Sequence, residues 1–440
     1  MYCLFMISYY KMYFMFKSNI NGNFFRSVII ILLAGVLTAA CSTRSADVKN
    51  GILPDNDIED FHIPAVENLS GGFIFGADIS SIIALENSGV KFYGFDGKEQ
   101  DIFKTLYDAG INYIRIRIWN DPFDSNGNGF GGGNCDVNTA AAIASRAKKY
   151  GMKLFLNFHY SDFWADPGKQ MAPRAWAGMN IGEKASALET FTFDSLMEIG
   201  KHGDIGMVQL GNETNSAMSG EYNWRNISAL MNAGAKAVRR YDENILIAVH
   251  FTDPQKGHYA YSAQTLKEYS VDYDVFASSY YPFWHGTLDN LKDQLNIIRR
   301  DYGKDVLIAE TSYAFTSEDG DKFANIVSDP RGFAHPFSVY GQALALRDVI
   351  AAAADAGGIG VFYWEPAWIP VGSNYETNRE IWNQFGSGWA SVYASVYDPK
   401  DAGIYYGGSA VDNQALFDFS GHPLPSLNVF KLVKNGASLR

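Results

Sequence analysis

The sequence has little cysteine, little charge and no excess of basic residues. Among 440 residues there are three cysteines, 19% are Asp, Glu, Lys or Arg, and the formal net charge is -12. This balance argues against nucleic acid as a partner, because phosphate binding requires clustered Lys and Arg. Cys135 lacks the Cys or His spacing of a zinc site, so we expect a free structural thiol.

The sequence also lacks an apolar run long enough to span a membrane. A run of 11 residues at 27–37 follows a basic region and precedes small residues and Cys41, whereas a spanning helix needs about 20 residues. We expect residues 1–40 to be a lipoprotein-type export signal and Cys41 to be lipidated, although Thr38 stands where Leu is usual. An uncleaved membrane anchor is the alternative. Residues 42–70, polar and proline-containing, are predicted to be a flexible linker.

Aromatic residues are plentiful. The chain has 26 Tyr, 9 Trp and 30 Phe, and 47% of its residues are apolar. This composition is typical of a folded protein with a large core and not of a disordered chain. The aromatic surplus fits a cleft in which rings stack on flat apolar faces, as sugars present, but it also fits ordinary cores and protein partners.

Apolar strand patterns alternate with helical patterns from Gly71 onward. Eight such units predict an α/β fold, namely a (β/α)8 TIM barrel forming one domain over residues 71–440, with long loops after the strands. An open doubly wound sheet is the alternative, but no Gly-x-Gly-x-x-Gly turn follows the first strand. The predicted strands are Phe73–Ala77, Tyr113–Ile118, Lys153–Phe158, Met207–Leu210, Ile245–Val249, Val275–Ser279, Val306–Ala309 and Ile359–Tyr363.

All eight predicted strands end in polar or aromatic residues, although their bodies are apolar. The C-terminal ends of the strands in such a barrel meet at one face, which carries the active site. The sequence therefore predicts one polar cleft over the barrel. In chain order the strand ends carry Asp78; Arg117, Trp119 and Asn120; His159 and Tyr160; Asn212 and Glu213; His250; Tyr280 and Tyr281; Glu310; and Trp364 and Glu365.

Two of these strands stop on a glutamate, Glu213 and Glu310. A carboxylate is costly to hold beside an apolar core without a partner, and a pair of carboxylates is what cleavage of a glycosidic bond requires. The alternative for each glutamate is a strand-end acid that caps the next helix or pairs with an arginine.

The second predicted strand alternates isoleucine with arginine. A period of two directs the isoleucines to the helices and both arginines into the barrel. Arg117 is nearest the top of the strand, so we expect it to hydrogen-bond a catalytic carboxylate. We expect Arg115 to form a structural ion pair.

Six segments occur in order between about Gly72 and Leu432. They are Gly76-Ala77-Asp78-Ile79-Ser80, Arg115-Ile116-Arg117-Ile118-Trp119, Asn157-Phe158-His159-Tyr160-Ser161-Asp162 with its continuation to Trp176, Gln209-Leu210-Gly211-Asn212-Glu213, Ser279-Tyr280-Tyr281-Pro282-Phe283-Trp284 and Ala309-Glu310-Thr311-Ser312-Tyr313. This ordered set resembles the endo-β-1,4-galactanases of glycoside hydrolase family 53, which are retaining (β/α)8 glycosidases.

The resemblance implies a role for each residue of the pair. Glu213 would be the general acid/base, and Glu310 would be the nucleophile of a double displacement. Asn212 matches the residue that bonds the sugar 2-hydroxyl. Tyr280 or Tyr281 would hold Glu310, and the sequence leaves the choice between them open.

We expect further residues at these strand ends and loops to bind substrate. Trp rings would stack on successive galactose units, and polar groups would contact hydroxyls. Trp176 has a loop-packing role as its alternative, and Asp78 has a capping role. The candidates are Asp78, Arg117, His159, Asp162, Trp164, Trp176, Asn212, His250, Tyr280, Tyr281 and Trp364.

A structural calcium ion is a further expectation. Asp319, Asp321, Phe323 and Asn325 recur at every second residue, as ligands do in loops that wrap Ca2+. By the resemblance, Ser409 and Asp412 of the last loop would complete the site, although Phe323 stands where bacterial members have His. The alternative is a solvated acidic loop.

The sequence thus predicts an exported, monomeric hydrolase of β-1,4-galactosidic bonds in the (arabino)galactan side chains of pectin. We expect it to be held at the cell surface or outer membrane through Cys41, or otherwise to be secreted. Two other functions stay open. One is a related β-1,4-glycanase such as a mannanase or xylanase, and the other is a non-catalytic lipoprotein that captures carbohydrate.

Overall fold

The computed structural model describes residues 61–438, in which eight parallel strands form a closed barrel. Each strand pairs with the next in the chain, and the eighth pairs with the first. The predicted (β/α)8 architecture is therefore confirmed. The strands are β1 (Ile74–Asp78), β2 (Tyr113–Ile118), β3 (Lys153–Phe158), β4 (Ile205–Leu210), β5 (Leu246–Phe251), β6 (Val275–Ser279), β7 (Asp305–Thr311) and β8 (Gly360–Trp364).

Helices lie between and after the strands, and most of the long ones begin at a polar cap. The Asn180 side chain, for example, accepts from the backbone N–H groups of Gly182 and Glu183, which helix geometry leaves without partners. The helices are α1 (Ile82–Asn87), α2 (Ile102–Asp108), α3 (Val137–Lys149), α4 (Ile181–Ile199), α5 (Trp224–Tyr241), α6 (Tyr259–Glu268), α7 (Leu288–Tyr302), α8 (Val339–Asp355), α9 (Tyr375–Phe385) and α10 (Val429–Leu432).

Two apolar layers line the barrel wall, a larger one on its outside and a smaller one in its interior. The larger lies between strands and helices and includes Ile114, Ile116 and Ile118 of β2, as the alternation in that strand predicts. The smaller consists mainly of strand residues, including Phe155, Leu307 and Phe362. Neither Arg115 nor Arg117 belongs to these layers; both are buried among polar groups towards the C-terminal ends of the strands.

Gly76 of β1 is required by the packing of this smaller layer. A Cβ placed there would lie 2.0 Å from the ring of Phe362 on the neighbouring strand β8. Any side chain at this position would displace the ring, because interiors are close-packed.

Residues 61–69 form an N-terminal strap along the outside of α8. Phe61 and Ile63 are 2% and 0% exposed, and His62–Ile63 pairs with the short C-terminal strand Ala437–Ser438. The predicted flexible linker over residues 42–70 is therefore wrong in its last part, where buried side chains anchor the chain. The predicted signal and Cys41 lie outside the described residues.

Hydrogen bonds attach the strap along the length of α8. The Tyr340 hydroxyl donates to the carbonyl of His62 (2.9 Å), and Arg347 Nη2 donates to the carbonyl of Ala65 (2.8 Å). Among residues 61–438 no helix is long and apolar enough to cross a bilayer. Cys135 is a buried free thiol, as expected.

Candidate active site

Four residues that follow barrel strands adopt a left-handed backbone conformation that non-glycine residues rarely take. They come after β3, β4, β5 and β8, with φ between 48° and 64°. Such conformations cost about 1–3 kcal/mol each and persist only where the surroundings enforce them, so they cluster at functional sites. The four residues are Tyr160, Glu213, Asp253 and Glu365.

Glu213, which follows β4, and Glu310 of β7 approach each other at the barrel mouth. The Oγ atom of Ser279, the last residue of β6, lies 2.7 Å from Glu213 Oε1 and 3.4 Å from Glu310 Oε2. These two carboxyl oxygens are therefore at most about 6 Å apart, the sum of the two distances. Retaining glycosidases hold their carboxyls about 5–5.5 Å apart and inverting ones about 6.5–9.5 Å apart. For this pair of oxygens the upper bound lies below the inverting range, which favours the retaining arrangement.

Glu310 contacts a cation and a phenol. Arg115 Nη1 lies 2.8 Å from Glu310 Oε1 and 2.9 Å from Asp78 Oδ2, so one guanidinium joins both carboxylates. The Tyr281 hydroxyl donates to Glu310 Oε2 at 2.9 Å. These contacts fix the orientation of the carboxylate and stabilise negative charge on it.

Arg117, which we expected at a catalytic carboxylate, instead forms an ion pair with Glu365. Its guanidinium carbon lies 4.3 Å from the centre of the Trp164 ring, which covers it. Because Arg117 lies nearer the C-terminal end of β2 than Arg115, the sequence suggested that Arg117 would contact the catalytic carboxylate. The Arg115 side chain, however, is long enough to cross the barrel and reach Glu310 of β7. Arg117 is held against Glu365, the residue after β8, and the Trp164 ring covers it.

The two tyrosines after β6 point in different directions, and this answers the choice that the sequence left open. Tyr281 contacts Glu310, whereas the Tyr280 hydroxyl donates to the backbone carbonyl of Gly286 (2.8 Å) and is packed in the outer core. Burial raises the pKa of the Tyr281 phenol well above its ordinary value, so it stays protonated and donates.

The charges around the pair favour a protonated Glu213. Burial, and next the charge of Glu310, raise the pKa of Glu213 well above its ordinary value. Burial also raises the pKa of Glu365 to about 7, against the opposing effect of Arg117. Two arginines face four carboxyls here, so a proton on one carboxyl removes excess negative charge.

Two buried histidines below the cleft are neutral. Burial, followed by the charge of Arg117, lowers the pKa of His159 well below its ordinary value, and burial with Arg115 does the same for His250. His250 Nε2 lies 2.9 Å from Ser279 Oγ. His159 Nδ1 accepts from the backbone N–H of Ala165 (3.2 Å).

Asn212 is held rigidly beside Glu213. Its Oδ1 accepts from Arg115 Nη2 (3.2 Å) and Asn157 Nδ2 (3.1 Å), and its Nδ2 donates to the carbonyl of Ala165 (2.9 Å). The side chain is therefore fixed by the same guanidinium that holds Glu310, which places the predicted 2-hydroxyl contact next to the predicted reaction centre.

Trp164 and Trp364 are partly exposed beside this centre. Their ring centres are 6.4 Å apart, and the Trp364 ring is perpendicular to that of Tyr281 at 6.5 Å. Trp164 Nε1 donates to the carbonyl of Trp389, so the loop after β8 fixes its ring. Both rings can offer an apolar surface to a sugar.

Besides Arg117, His159, His250 and Tyr280, which are buried as described above, three further residues that we expected to touch substrate are buried in structural contacts. Trp176 packs against Tyr160 and Phe191 in the layer outside the barrel. Asp162 accepts from the backbone and Nε of Arg174, and Asp78 is paired with Arg115. The direction of a loop side chain depends on packing that no local pattern encodes, so the sequence could not show where these three side chains point.

The sequence interpretation missed Ser279 and Asp166. Ser279 ends a predicted strand, so the strand-end rule that selected the other residues would have found it. Asp166 lies in the continuation of the third of the six ordered segments, and its charge helps to raise the pKa of Glu213. Asp166 and Glu213 are far apart in the sequence, so no local signal could have identified this contact.

A separate group of oxygen atoms joins two loops above the barrel. One carboxylate oxygen from each of Asp319, Asp321 and Asp412 lies within 4.8 Å of the others. Asn325 Nδ2 donates to Asp412 Oδ1 (2.7 Å), while Asn325 Oδ1 is buried and has no hydrogen bond among the described residues. A buried carbonyl oxygen without a donor, next to three carboxylates, fits a hard divalent cation.

The other predicted metal residues lie in the same place. The backbone N–H groups of Ser409 and Phe323 donate to the two oxygens of Asp321, and the Phe323 ring packs against Trp382. Burial, and next the charge of Asp412, raise the pKa of Asp321 to about 8, and burial raises the pKa of Asp412 to about 6. The six predicted residues are therefore close in space.

A closed barrel with two facing carboxyls at its C-terminal mouth, one ion-paired and one with a raised pKa, is the arrangement of a (β/α)8 glycoside hydrolase. Comparison with known proteins narrows this class. The sequence model of Glycosyl hydrolase family 53 matches residues 74–430. The chain belongs to this family.

Relatives and solved structures agree with this assignment. An endo-β-1,4-galactanase of Bacillus subtilis (strain 168) is 54% identical over 419 residues, covering 93% of this chain and 98% of that protein. An arabinogalactan endo-β-1,4-galactanase of Cellvibrio japonicus is 33% identical, covering 74% and 86%. The solved GH53 catalytic domain of Ignisphaera aggregans superposes with a TM-score of 0.76 at 36% identity, covering 84% and 99%.

Proposed function

We propose that the protein is an endo-hydrolase of β-1,4-galactan that acts by double displacement. The observation that carries this proposal is the approach of Glu213 and Glu310 within about 6 Å around Ser279. Membership of Glycosyl hydrolase family 53 and the galactanase names of the relatives support the substrate and the mode of cleavage.

The contacts of the two glutamates support different roles for them. Glu310, held by Arg115 and Tyr281, attacks the anomeric carbon and forms a glycosyl-enzyme. Glu213, whose pKa is raised, gives its proton to the departing glycosidic oxygen and then accepts a proton from the hydrolytic water. The configuration at the anomeric carbon is retained after two inversions.

Sugar recognition is assigned to the rigid groups around the pair. Asn212 is positioned beside Glu213 to bond the 2-hydroxyl, a contact that strengthens in the transition state. Trp164 and Trp364 offer ring faces for stacking.

Hydrolysis of linear β-1,4-galactan by the wild type and by Glu213→Gln and Glu310→Gln tests this proposal. We expect short galactooligosaccharides of β configuration from the wild type and a loss of at least about 10³-fold in both variants. Mannan, whose sugar differs in stereochemistry, and xylan, whose sugar also lacks the hydroxymethyl group, serve as comparison substrates. Faster hydrolysis of mannan or xylan, or binding of galactan without cleavage, would select one of the two alternative functions.

An azide experiment separates the two roles. Glu213→Ala, given an aryl galactobioside with a good leaving group, still forms the glycosyl-enzyme, because such a leaving group needs no proton. Azide then replaces water and yields a β-galactosyl azide. Glu310→Ala cannot form that product, so a β-azide from Glu310→Ala would reverse the assignment.

We also propose a structural Ca2+ ion at the site formed by Asp319, Asp321 and Asp412, with Asn325 Oδ1 as a further ligand. The free carbonyl oxygen and the concentration of buried carboxylates support it. The ion would join the loop after β7 to the loop after β8, because its ligands come from both. It takes no part in bond cleavage.

Calorimetric titration and thermal unfolding with and without a chelator test the ion. We expect the wild type to bind about one Ca2+ and to unfold at a lower temperature after chelation. Asp412→Asn should abolish both effects. Asp329→Asn is the matched control, because Asp329 lies in the same loop but is exposed and paired with Arg331. Unchanged unfolding of the wild type in chelator would contradict the site.

We further propose export and a lipid anchor at Cys41. The proposal is supported by the basic region, the short apolar run and the Ala39-Ala40-Cys41 sequence. Metabolic labelling with a radioactive fatty acid tests it, and Cys41→Ser should lose the label while Cys135→Ser keeps it. Label retained by Cys41→Ser would exclude this anchor.

A further inference from the structure

Ser279 lies between the two carboxyl groups, and its side chain is fully buried at the end of β6. Its hydroxyl is 2.7 Å from Glu213 Oε1, 3.4 Å from Glu310 Oε2 and 2.9 Å from His250 Nε2. A hydroxyl has one hydrogen to donate and two lone pairs to accept with. The function of Ser279 therefore depends on which neighbour receives that hydrogen.

The contacts of His250 determine the answer. Three groups lie near His250 Nδ1: the backbone N–H of Glu213 (3.3 Å), Gln209 Nε2 (3.0 Å) and Asn212 Oδ1 (3.2 Å). The N–H of Glu213 points at Nδ1, and Asn212 Oδ1 already accepts from Arg115 and Asn157, so Nδ1 acts as the acceptor. The neutral ring then carries its proton on Nε2 and donates to Ser279 Oγ. The hydrogen of the Ser279 hydroxyl is left to point at the two carboxyl groups.

We propose that Ser279, oriented by His250, is a positioning residue that donates to Glu213 Oε1 and so directs the transferable proton of Glu213 to Oε2. This inference rests on the proposed function. It adds that the same hydroxyl lies next to whichever glutamate is negatively charged, Glu310 in the free enzyme and Glu213 in the glycosyl-enzyme.

The two chemical steps show why such a donor is useful. In the first step Glu310 forms a bond to the anomeric carbon, the glycosidic bond breaks, and the proton on Glu213 Oε2 moves to the departing oxygen. Glu310 is then a neutral ester and Glu213 an anion, so the 2.7 Å bond from Ser279 becomes charge-assisted. In the second step water gives a proton to Glu213, the water oxygen bonds to the anomeric carbon, and Glu310 leaves as a carboxylate.

The surroundings of Glu213 make this donor important for its pH behaviour. Burial disfavours the anion of Glu213 most, and the negative charges of Glu310, Asp166 and Asp253 disfavour it further. The hydrogen bond from Ser279 works in the opposite direction and lowers the pKa of Glu213. The titratable groups around the pair are Glu310, Asp166, Asp253, Tyr281, His250 and, through Glu310, Arg115.

The test is the pH dependence of kcat/KM on galactan for Ser279→Ala and Ser279→Cys. Both variants lose the strong donor, and the thiol nearly keeps the volume. We expect the basic limb, which reports loss of the proton from Glu213, to move to higher pH by about one unit, with kcat reduced by about tenfold or more. Ser279→Thr, which keeps the hydroxyl, should show its basic limb at the same pH as the wild type.

A second substrate examines the glycosyl-enzyme. With an aryl galactobioside whose leaving group departs unaided, the second step limits kcat, and Glu213 must be an anion. Loss of the donor raises the pKa of Glu213 there too, so the acidic limb of kcat should also move to higher pH in Ser279→Ala.

Ser278→Ala is the matched control. Ser278 is equally buried in the same strand, but its hydroxyl bonds the Tyr259 hydroxyl in the outer layer. The Ser278→Ala variant should unfold at a lower temperature, but neither the basic limb of kcat/KM nor the acidic limb of kcat should move. Limbs that coincide in Ser279→Ala and wild type, or that move equally in Ser278→Ala, would overturn the inference. Loss of galactan hydrolysis from the wild type itself would instead reject the proposed function.

Discussion

At the scale of single residues, the site is a set of donors arranged around two carboxyl groups. Arg115, Tyr281 and Ser279 each contact Glu310 or Glu213 directly; Arg115 comes from β2, and the other two come from the C-terminal end of β6. Their positions are fixed by burial before substrate arrives. Preorganised donors of this kind stabilise developing charge without reorganisation during the reaction.

The adjacent tyrosines give a matched pair of variants. Tyr281→Phe removes the donor to Glu310, and we expect kcat on galactan to fall about 10- to 100-fold, because hydrogen bonds to charged groups are worth about 1.5–3 kcal/mol. Tyr280→Phe loses only the bond to the Gly286 carbonyl, so it should cost about 1 kcal/mol of stability and leave kcat unchanged. Equal kcat values for the two variants would contradict this division.

Two tryptophans can be distinguished in the same way. Trp364→Ala should raise KM for galactan by up to about tenfold, because a partly exposed ring beside Tyr281 is lost. Trp176→Ala should leave KM unchanged but destabilise the fold by about 3–5 kcal/mol, since this ring is buried against Phe191. KM and the unfolding temperature are measured for both, and a KM increase limited to Trp176→Ala would reverse the assignment.

At the scale of elements, the N-terminal strap packs on the outside of α8. It buries Phe61, Ile63 and Val66 and bonds α8 through Tyr340 and Arg347. Because α8 packs against β7 and β8, the strap supports the wall that carries Glu310 without touching the cleft.

Two truncations test this role. A chain that begins at Gly71 should unfold at a clearly lower temperature than a chain that begins at Phe61. Loss of one buried isoleucine alone costs about 2–5 kcal/mol. Glu67→Ala is the control, since this strap side chain is exposed. Equal unfolding temperatures for the two truncated chains would show that the strap is dispensable.

The elements were largely predictable, whereas their side-chain partners were not. The bounds predicted for β2, β3 and β6 coincide with the observed ones, because alternation and strand-end polarity are local signals. The meeting of Glu213 and Glu310 followed from the rule that strand ends share one face. The partners of Arg115 and Arg117 depend on side-chain reach, and the strap depends on contacts with residues more than 250 positions away.

At the scale of the whole molecule, the negative net charge affects which form of galactan associates most readily. It is -12 for the full sequence and more negative without the proposed signal, which contains Lys11, Lys17 and Arg26 but no Asp or Glu. Galactan itself is uncharged, so its association should be insensitive to salt. Galactan attached to a polyuronate backbone carries negative charge and is repelled at low ionic strength.

We therefore expect salt to act on one substrate only. Between about 10 mM and 150 mM salt, kcat/KM on polyuronate-linked galactan should rise about two- to tenfold, because the Debye length falls from about 30 Å to 8 Å. Isolated galactan and galactan on a methyl-esterified backbone are the controls, and neither should change. An equal rise on the esterified substrate would exclude charge repulsion as the cause.

The two halves of the barrel interior impose different limits on how the protein can change. The lower half is filled by side chains such as Phe155, Leu307 and Phe362, which can be exchanged for others of similar volume. The upper half is filled by the ion pairs of Arg115 and Arg117. Replacing such pairs by apolar groups often stabilises a protein, but here it would remove the support of the nucleophile. Selection or engineering for heat resistance therefore has to work on the lower half and the outer surface.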